Sequence, residues 1–167
     1  MTQRQNTFSS SDQNGVSEQP HHSSVNSDCH SLEVSQSHNI APQELVVESL
    51  PNHLIVIHTT PQPVQVMERA DSLQVKELAK PGDVNLLSAG SMSSCRWDKA
   101  ISFISLNVSP TLIEQVSMQT NGSSGAIELI HTFHARDAKI LQISQWLLDE
   151  RHNSGAGRKL YIDPLSL

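Results

Sequence analysis

The stretch from Pro81 to Trp97 constrains the fold more than any other part of the chain, because tight turns and short strands alternate in it. Pro81 presets φ for the first corner of a turn, and Gly82 supplies the positive φ that a type II turn needs next. Val84 to Leu87 is a short apolar run between turn residues, which is typical of a buried strand. After a second turn, Met92 to Trp97 can return antiparallel. This rhythm predicts a β-sandwich, jelly roll or barrel.

Further strands are predicted on both sides of this stretch from β-branched content and from alternation of apolar with polar residues. The predicted strands are His53 to Thr60, Val64 to Arg69, Leu73 to Leu78, Ala100 to Val108 and Ala126 to Phe133. In the second of these, Val64 and Val66 share one face, whereas Arg69 lies on the other. A mainly β domain is therefore expected.

Two helices are predicted, one between the strands that end at Val108 and begin at Ala126, and one after the last strand. Ser109 and Pro110 suit the cap and first position of the first helix. From about Ala135 the apolar residues recur at helical spacing, which predicts an amphipathic second helix. Asp163-Pro164 resembles the start of another helix, of which the sequence contains only the first turn. We therefore expect the chain to be a piece of something longer.

The N-terminal segment differs in composition from the rest. Only 37% of all residues are hydrophobic, and residues 1–43 are dominated by Ser, Gln, Asn, Asp and His. Such a segment cannot bury enough apolar surface to offset the entropy lost on ordering, so we predict a disordered polar tail. Its His and Cys residues lack the spacing of a metal site, which favours a polar tail that happens to contain histidines.

Charge and cysteine content exclude several classes of function. The net charge is −6 and the Lys and Arg residues are scattered singly, so no basic stripe predicts binding to nucleic acid. Cys29 and Cys95 lie far apart, one in the tail and one on a predicted strand, and no disulfide framework is indicated. No apolar run is long enough to cross a bilayer, and no signal peptide is evident. A cytoplasmic protein without membrane association is expected.

Sequence motifs give no positive indication of catalysis. His131 and His134 form the only His-x-x-His pair, and on a strand their side chains would point to opposite faces. Neither a Gly-x-Ser-x-Gly elbow nor a phosphate-binding loop occurs. We therefore expect a protein that is not an enzyme and that has neither a metal nor a cofactor.

The opening stretch resembles the second motif of the cupin family. Gly82 is followed after five residues by Ser88-Ala89-Gly90, where that motif has Pro-x-Gly. Ser93 stands where metal-binding cupins have a histidine, and Trp97 stands where they have an asparagine. The first motif, with its His-x-His, has no counterpart before Gly82. The resemblance implies a cupin-type barrel that has lost its metal.

A broader resemblance covers residues 44–167. In order and spacing, several segments resemble the N-terminal domain of AraC/XylS-type transcriptional regulators. They are His53 to His58, Pro81 to Val84, Ser88 to Gly90, Arg96 to Asp98, Ile104 to Pro110, Ile127 to Leu129, Phe133 with Asp137, and Tyr161 to Leu165. In that family the barrel senses a small molecule, the helices after it dimerise, and two helix-turn-helix units bind DNA. Here the resemblance ends before any DNA-reading segment, and Pro164 departs from the family's usual small or polar residue.

The resemblance implies an organisation and two sites. Residues 44–134 would form the cupin-like sensing barrel, and residues 135–167 an incomplete helical dimerisation segment. Among inward-facing residues, the candidate pocket for a small organic effector comprises His58, Arg69, Trp97, Phe103 and Ser105. The dimerisation helix would use Ile140, Ile143, Trp146 and Leu147, either against the barrel, against another subunit, or both.

The expected function is the effector-sensing and dimerisation portion of an AraC-type regulator, without its own DNA-binding domain. Its partners would be an effector and either a second copy or a full-length regulator, with no direct contact to nucleic acid. The alternatives are a small metal-dependent cupin enzyme, a free-standing barrel that binds a small ligand, and a carbohydrate-binding or scaffold jelly roll. The low aromatic content, 4%, disfavours the last of these.

Overall fold

The computed structural model describes residues 32–121 and 127–153, and the structural statements below refer to these residues. They contain nine strands and two helices. The strands are β1 (Leu32–Ile40), β2 (Gln43–Val47), β3 (His53–His58), β4 (Val64–Ala70), β5 (Leu73–Ala79), β6 (Asp83–Leu87), β7 (Ser93–Trp97), β8 (Ile101–Val108) and β9 (Thr132–Arg136). The helices are α1 (Pro110–Asn121) and α2 (Ala138–Asn153).

The strands form two antiparallel sheets. One has the order β1-β8-β3-β6-β9, and the other has the order β2-β7-β4-β5. Strands that follow one another in sequence repeatedly change sheet, as in a jelly roll. The prediction of a mainly β domain followed by a helix is confirmed. The predicted helix start at Asp163-Pro164 lies outside the described residues.

The five-stranded sheet is covered on both faces. On one face Ile57 lies opposite Val84 and Ile104, and these residues pack with Leu147 and Leu148 of α2. The other face looks across to the four-stranded sheet, and we call the space between the sheets the barrel interior. Helix α2 therefore lies outside the barrel, one sheet away from its interior.

The barrel interior contains two apolar clusters. One joins Val66 and Trp97 of the four-stranded sheet to Ile101 and Phe103 of the other sheet. The other joins Ala70 to Leu87. Glu68 stands between Val66 and Ala70 on the inward face of β4, because side chains alternate along a strand. A polar zone therefore separates the two apolar clusters.

The two turns predicted from the sequence are present. Gly82 has φ 83°, and the Asp83 amide donates to the Lys80 carbonyl over 3.0 Å, as in a type II turn. Gly90 has φ 81° in the second turn. The Ala89 amide there donates to Nδ1 of His53 over 3.0 Å. Burial lowers the pKa of His53, which suits a ring that must remain a neutral acceptor.

Two predicted boundaries are wrong. Leu32–Ile40 forms β1 inside the segment predicted to be a disordered tail, and it pairs with β8 along most of its length. Residues 1–31 of that segment lie outside the described residues. The last strand is Thr132–Arg136 rather than Ala126 to Phe133, since residues 127–130 have no regular structure.

Both helices begin at side-chain caps. The Leu112 amide donates to Oγ of Ser109 over 3.2 Å at the start of α1, as predicted. Oδ1 of Asp137 accepts from the amides of Lys139 and Ile140 over 2.9 and 3.1 Å at the start of α2. In the described ranges neither helix is long and apolar enough to span a membrane.

Candidate functional site

A network of buried polar side chains surrounds Glu68 in the barrel interior. Glu68 is 4% exposed, and its Oε1 accepts from Nδ2 of Asn85 over 2.5 Å. Nε2 of His58 lies 3.6 Å from the same oxygen. Nε2 of His134 lies 3.0 Å from the other carboxylate oxygen, Oε2. Strands β3, β4, β6 and β9 thus bring two imidazoles and an amide onto one buried carboxylate.

Asn85 connects this carboxylate to the backbone of β9. Its Nδ2 donates to Glu68, and it lies 3.4 Å from Nε2 of His58. Its Oδ1 accepts from the backbone amide of His134 over 2.9 Å. The side chain is 2% exposed, and its hydrogen bonds connect β4 of one sheet to β9 of the other. Its two ends therefore position both Glu68 and β9.

His134 lies beside an irregularity in β9. The register of β6 with β9 shifts between Val84 and Leu86, and His134 has φ 54°. A non-glycine residue rarely adopts this left-handed conformation, and such positions cluster at functional sites. Nδ1 of His134 lies 3.3 Å from Oδ2 of Asp83, while Nε2 faces Glu68. One imidazole therefore bridges two carboxylates.

Asp83 forms the outer end of the network. Its Oδ1 lies 2.8 Å from Nη2 of Arg136, and Nη1 of Arg136 donates to the Pro81 carbonyl over 2.8 Å. Asp83 is buried, whereas the Arg136 side chain is 59% exposed. The network thus contains two carboxylates and one guanidinium. It is balanced only when an imidazole or another group supplies one more positive charge.

Cys95 borders the network from β7, with Sγ 3.9 Å from Oε1 of Glu68. Burial, followed by the negative charge of Glu68 and its hydrogen bond, raises the pKa of the Cys95 thiol to about 12. The thiolate is the reactive form of cysteine. Cys95 is therefore a structural thiol in this state of the protein and not a nucleophile.

We expect Cys95 to resist thiol reagents in the folded protein. In a Cys29→Ser variant, an aromatic disulfide reagent at about pH 8 should label Cys95 at least about 100-fold more slowly than in the same variant in urea. The reason is that the folded thiol is partly buried and protonated. Stopped-flow absorbance measures both rates. Comparable rates in the two conditions would contradict the protection of Cys95 by the fold.

The structure disperses the five residues of the predicted pocket. His58 is part of the Glu68 network, whereas Trp97 and Phe103 pack in one of the apolar clusters. Ser105 lies on the same inward face as Phe103, and its Oγ bonds to Oγ of Ser35 over 2.6 Å. Arg69 is exposed on the outer face, and its Nε donates to the Asp71 carbonyl. Arg69 therefore does not line the interior.

Of the side chains in the network, the sequence predicted only His58 as a site residue and missed Glu68, Asn85, His134, Asp83 and Arg136. Glu68 was detectable, because it occupies an inward position in the alternation from Val64 to Ala70. A charged residue at such a position is unusual and indicates a function or a buried partner. Asn85 lies in an otherwise apolar strand and gives a similar signal. His134 gives no such signal, because it lies beyond the end of the predicted strand, Ala126 to Phe133, and beside a shift in register.

The two histidines of the His-x-x-His pair have different surroundings. Nδ1 of His131 accepts from the Ser88 amide over 3.2 Å, and its Nε2 lies 3.2 Å from Asp71. His134 instead faces Glu68 and Asp83. Across the described ranges, no set of three or more His, Cys, Asp and Glu side chains is arranged to hold a metal ion.

Helix α2 divides its apolar residues between two sides. Leu147 is buried against the five-stranded sheet, and Ile140 packs against the same cluster. Ile143 and Trp146 are 43% and 50% exposed on another side, which we call the outer face of α2. The predicted dimerisation residues therefore separate into a pair that contacts the barrel and a pair that is open for a partner.

Comparison with known proteins relates this chain to others by structure. No family model and no curated protein sequence matches it. An apo structure of ToxT from Vibrio cholerae matches with a TM-score of 0.55 and 10% identity, over 81% of this chain and 53% of that one. A second ToxT structure from the same species has a TM-score of 0.46 and 11% identity, over 70% and 47%. A cupin domain from Bordetella pertussis has a TM-score of 0.37 and 11% identity, over 50% and 85%.

The first of these matches establishes the fold. ToxT is an AraC-family regulator, and the fold of this chain is similar to that of its N-terminal domain. The chain spans about half the length of the ToxT chain, 53%. The resemblance predicted from the sequence is thus confirmed at the level of the fold. This chain therefore has a two-sheet β fold with a following helix that is similar to the matched part of the ToxT chain.

Proposed function

We propose that this chain is the effector-sensing and dimerisation portion of a transcriptional regulator of the AraC type. It binds a small organic effector in the barrel interior, and it acts by binding rather than by catalysis. The observation that carries this proposal is the Glu68 network. Its charged groups are buried at a cost that an ordinary apolar core would avoid, and buried polar groups of this kind concentrate at functional sites.

The connection between the network and α2 supports the same proposal. Strand β9 carries His134 into the network and ends at Arg136. Asp137 then caps α2, which carries the outer face with Ile143 and Trp146. Strand β9 therefore connects the buried network directly to the helix whose outer face would contact a second subunit. Effector binding would alter how two subunits present their DNA-binding segments.

The test is a reporter fusion. Residues 1–167 are fused to a DNA-binding domain that represses its operator only as a dimer, and repression is measured with and without a library of small metabolites. The proposal expects repression from the fusion and a change in repression by at least one compound. A fusion that does not repress, together with a monomeric chain in analytical ultracentrifugation, would contradict the dimerisation part. Repression that no compound alters would contradict the sensing part.

We expect Trp146→Glu to weaken dimerisation. Trp146 is half-exposed and apolar, and a charge at the centre of an interface typically costs more than about tenfold in the dissociation constant. Sedimentation equilibrium measures that constant. Gln145→Glu adds the same charge at the neighbouring exposed position of α2 and should leave it within about twofold. If Trp146→Glu raises the dissociation constant no more than Gln145→Glu does, the interface is not centred on Trp146.

A further inference from the structure

Glu68 has an acceptor that no hydrogen bond satisfies. Its Oε2 is fully buried, and among the described residues it has no hydrogen-bond partner. Nε2 of His134 lies 3.0 Å away but without the alignment that a hydrogen bond needs, and it is unsatisfied as well. A buried carboxylate oxygen without a donor is costly. This position therefore favours any group that can donate a hydrogen bond to it.

The charge of the surroundings selects the kind of donor. The groups that face Oε2 and its neighbours are His58, His134, Asp83, the Asn85 amide and the Cys95 thiol. Arg136 is paired with Asp83 at the exposed end of the network. The buried end thus holds a carboxylate with no permanent cation beside it. A ligand that carries a positive charge would balance it, whereas a neutral or anionic ligand would not.

Among the buried side chains of the network, His134 is the one that lies on an edge strand and can withdraw. It stands on β9, which is the edge strand of its sheet and pairs only with β6. Its backbone conformation, with φ 54°, is unfavourable for a residue with a side chain and is maintained by the contacts that its ring and amide make. His58, Glu68 and Asn85 lie instead on strands that are paired on both sides.

We propose that Glu68 anchors a small cationic hydrogen-bond donor, such as a protonated amine, amidine or imidazole, and that this ligand takes the place of the His134 ring. This inference rests on the proposed sensing function and assigns the chemical class of the effector. In the unliganded protein the chain supplies its own imidazole. Binding of the ligand displaces that imidazole, releases β9 from the interior and shifts the start of α2.

The experiment replaces the ring by a free ligand. His134→Gly leaves a space beside Glu68 and suits the left-handed backbone, since glycine adopts positive φ at no cost. The probe is imidazole at about 10 mM and about pH 6, where most of the imidazole in solution is the protonated cation. For binding in the millimolar range, we expect the Tm of the variant to rise by about 4 °C and the Tm of the unsubstituted chain to rise by less than about 1 °C.

Two controls isolate the charge interaction. Pyrazole has the same ring size as imidazole but is neutral at this pH, and it should leave the Tm unchanged. A His134→Gly/Glu68→Gln double variant keeps the space without the carboxylate and should not respond to imidazole. An equal response to pyrazole, an equal response of the double variant, or no response of a folded His134→Gly variant would each overturn the proposal. If His134→Gly lacks a cooperative transition, recovery of that transition by imidazole is measured instead, and its absence overturns the proposal.

Hydrogen exchange tests the release of β9. In His134→Gly, amide exchange over residues 132–141 should rise at least about tenfold, while β3 and β8 change by less than about twofold. Imidazole should leave this increase in place, because the free ring occupies the position beside Glu68 without being attached to β9. An increase of equal size in all strands would contradict a local release. These measurements need no effector, dimer or DNA, so their failure would leave the proposed sensing function to its own reporter test.

Discussion

Replacing Glu68 with alanine is expected to lower the free energy of unfolding by about 2–4 kcal/mol. The substitution deprives Nδ2 of Asn85 of its buried acceptor and leaves two imidazoles facing a cavity. It also removes side-chain volume from a position that is 4% exposed. Urea denaturation followed by circular dichroism measures the loss. Few other single substitutions in the barrel remove the shared partner of three side chains.

Two further variants show whether the loss comes from the network. Glu68→Gln keeps the volume and the acceptor for Asn85, so its cost should be smaller, about 1 kcal/mol. Glu77→Ala removes a glutamate from the exposed surface of the neighbouring strand β5 and should change stability by less than about 0.5 kcal/mol. If Glu68→Ala were as mild as Glu77→Ala, the carboxylate would not organise the interior.

The sequence predicted those parts of the fold in which the local pattern and the environment agree. Val64 and Val66 alternate with polar residues, and the structure places them inward as expected. Pro81 and Gly82 predict a turn whose type their backbone preferences determine, and that turn is present. The resemblance to a known family added the expectation that these strands form a cupin-type barrel followed by a helical segment.

The features that the sequence did not predict are those in which polar residues form part of a strand or of the barrel interior. Strand β1 was assigned to a disordered tail because its residues are largely Ser, Gln, Glu and His. It nevertheless pairs with β8, and on the inward face Ser35 forms a hydrogen bond with Ser105. Because these inward residues are polar, the hydrophobic pattern could not reveal the strand. His134 lies just beyond the end of the predicted last strand, beside a register shift that no local pattern encodes. Hydrophobic periodicity therefore locates the core of this barrel but not its polar interior.

Trp97→Ala is expected to be the most destabilising substitution at a predicted pocket residue, at about 3–5 kcal/mol. The Trp97 side chain is 5% exposed and packs with Val66 and Phe103 between the sheets. Its Nε1 also donates to the Ala41 carbonyl over 2.8 Å, which ties the connection between β1 and β2 to the four-stranded sheet. Urea denaturation followed by circular dichroism measures the change in stability.

Trp146→Ala is the matched control, because the chain contains two tryptophans and Trp146 is half-exposed on α2. It should cost less than about 1 kcal/mol in the monomer. Trp97→Phe separates packing from hydrogen bonding, and it should cost about 1–2 kcal/mol because it leaves the Ala41 carbonyl without its donor. A Trp97→Ala variant no less stable than Trp146→Ala would mean that the ring lines open space rather than core. Trp97 would then return to the candidate pocket, beside the Glu68 network instead of apart from it.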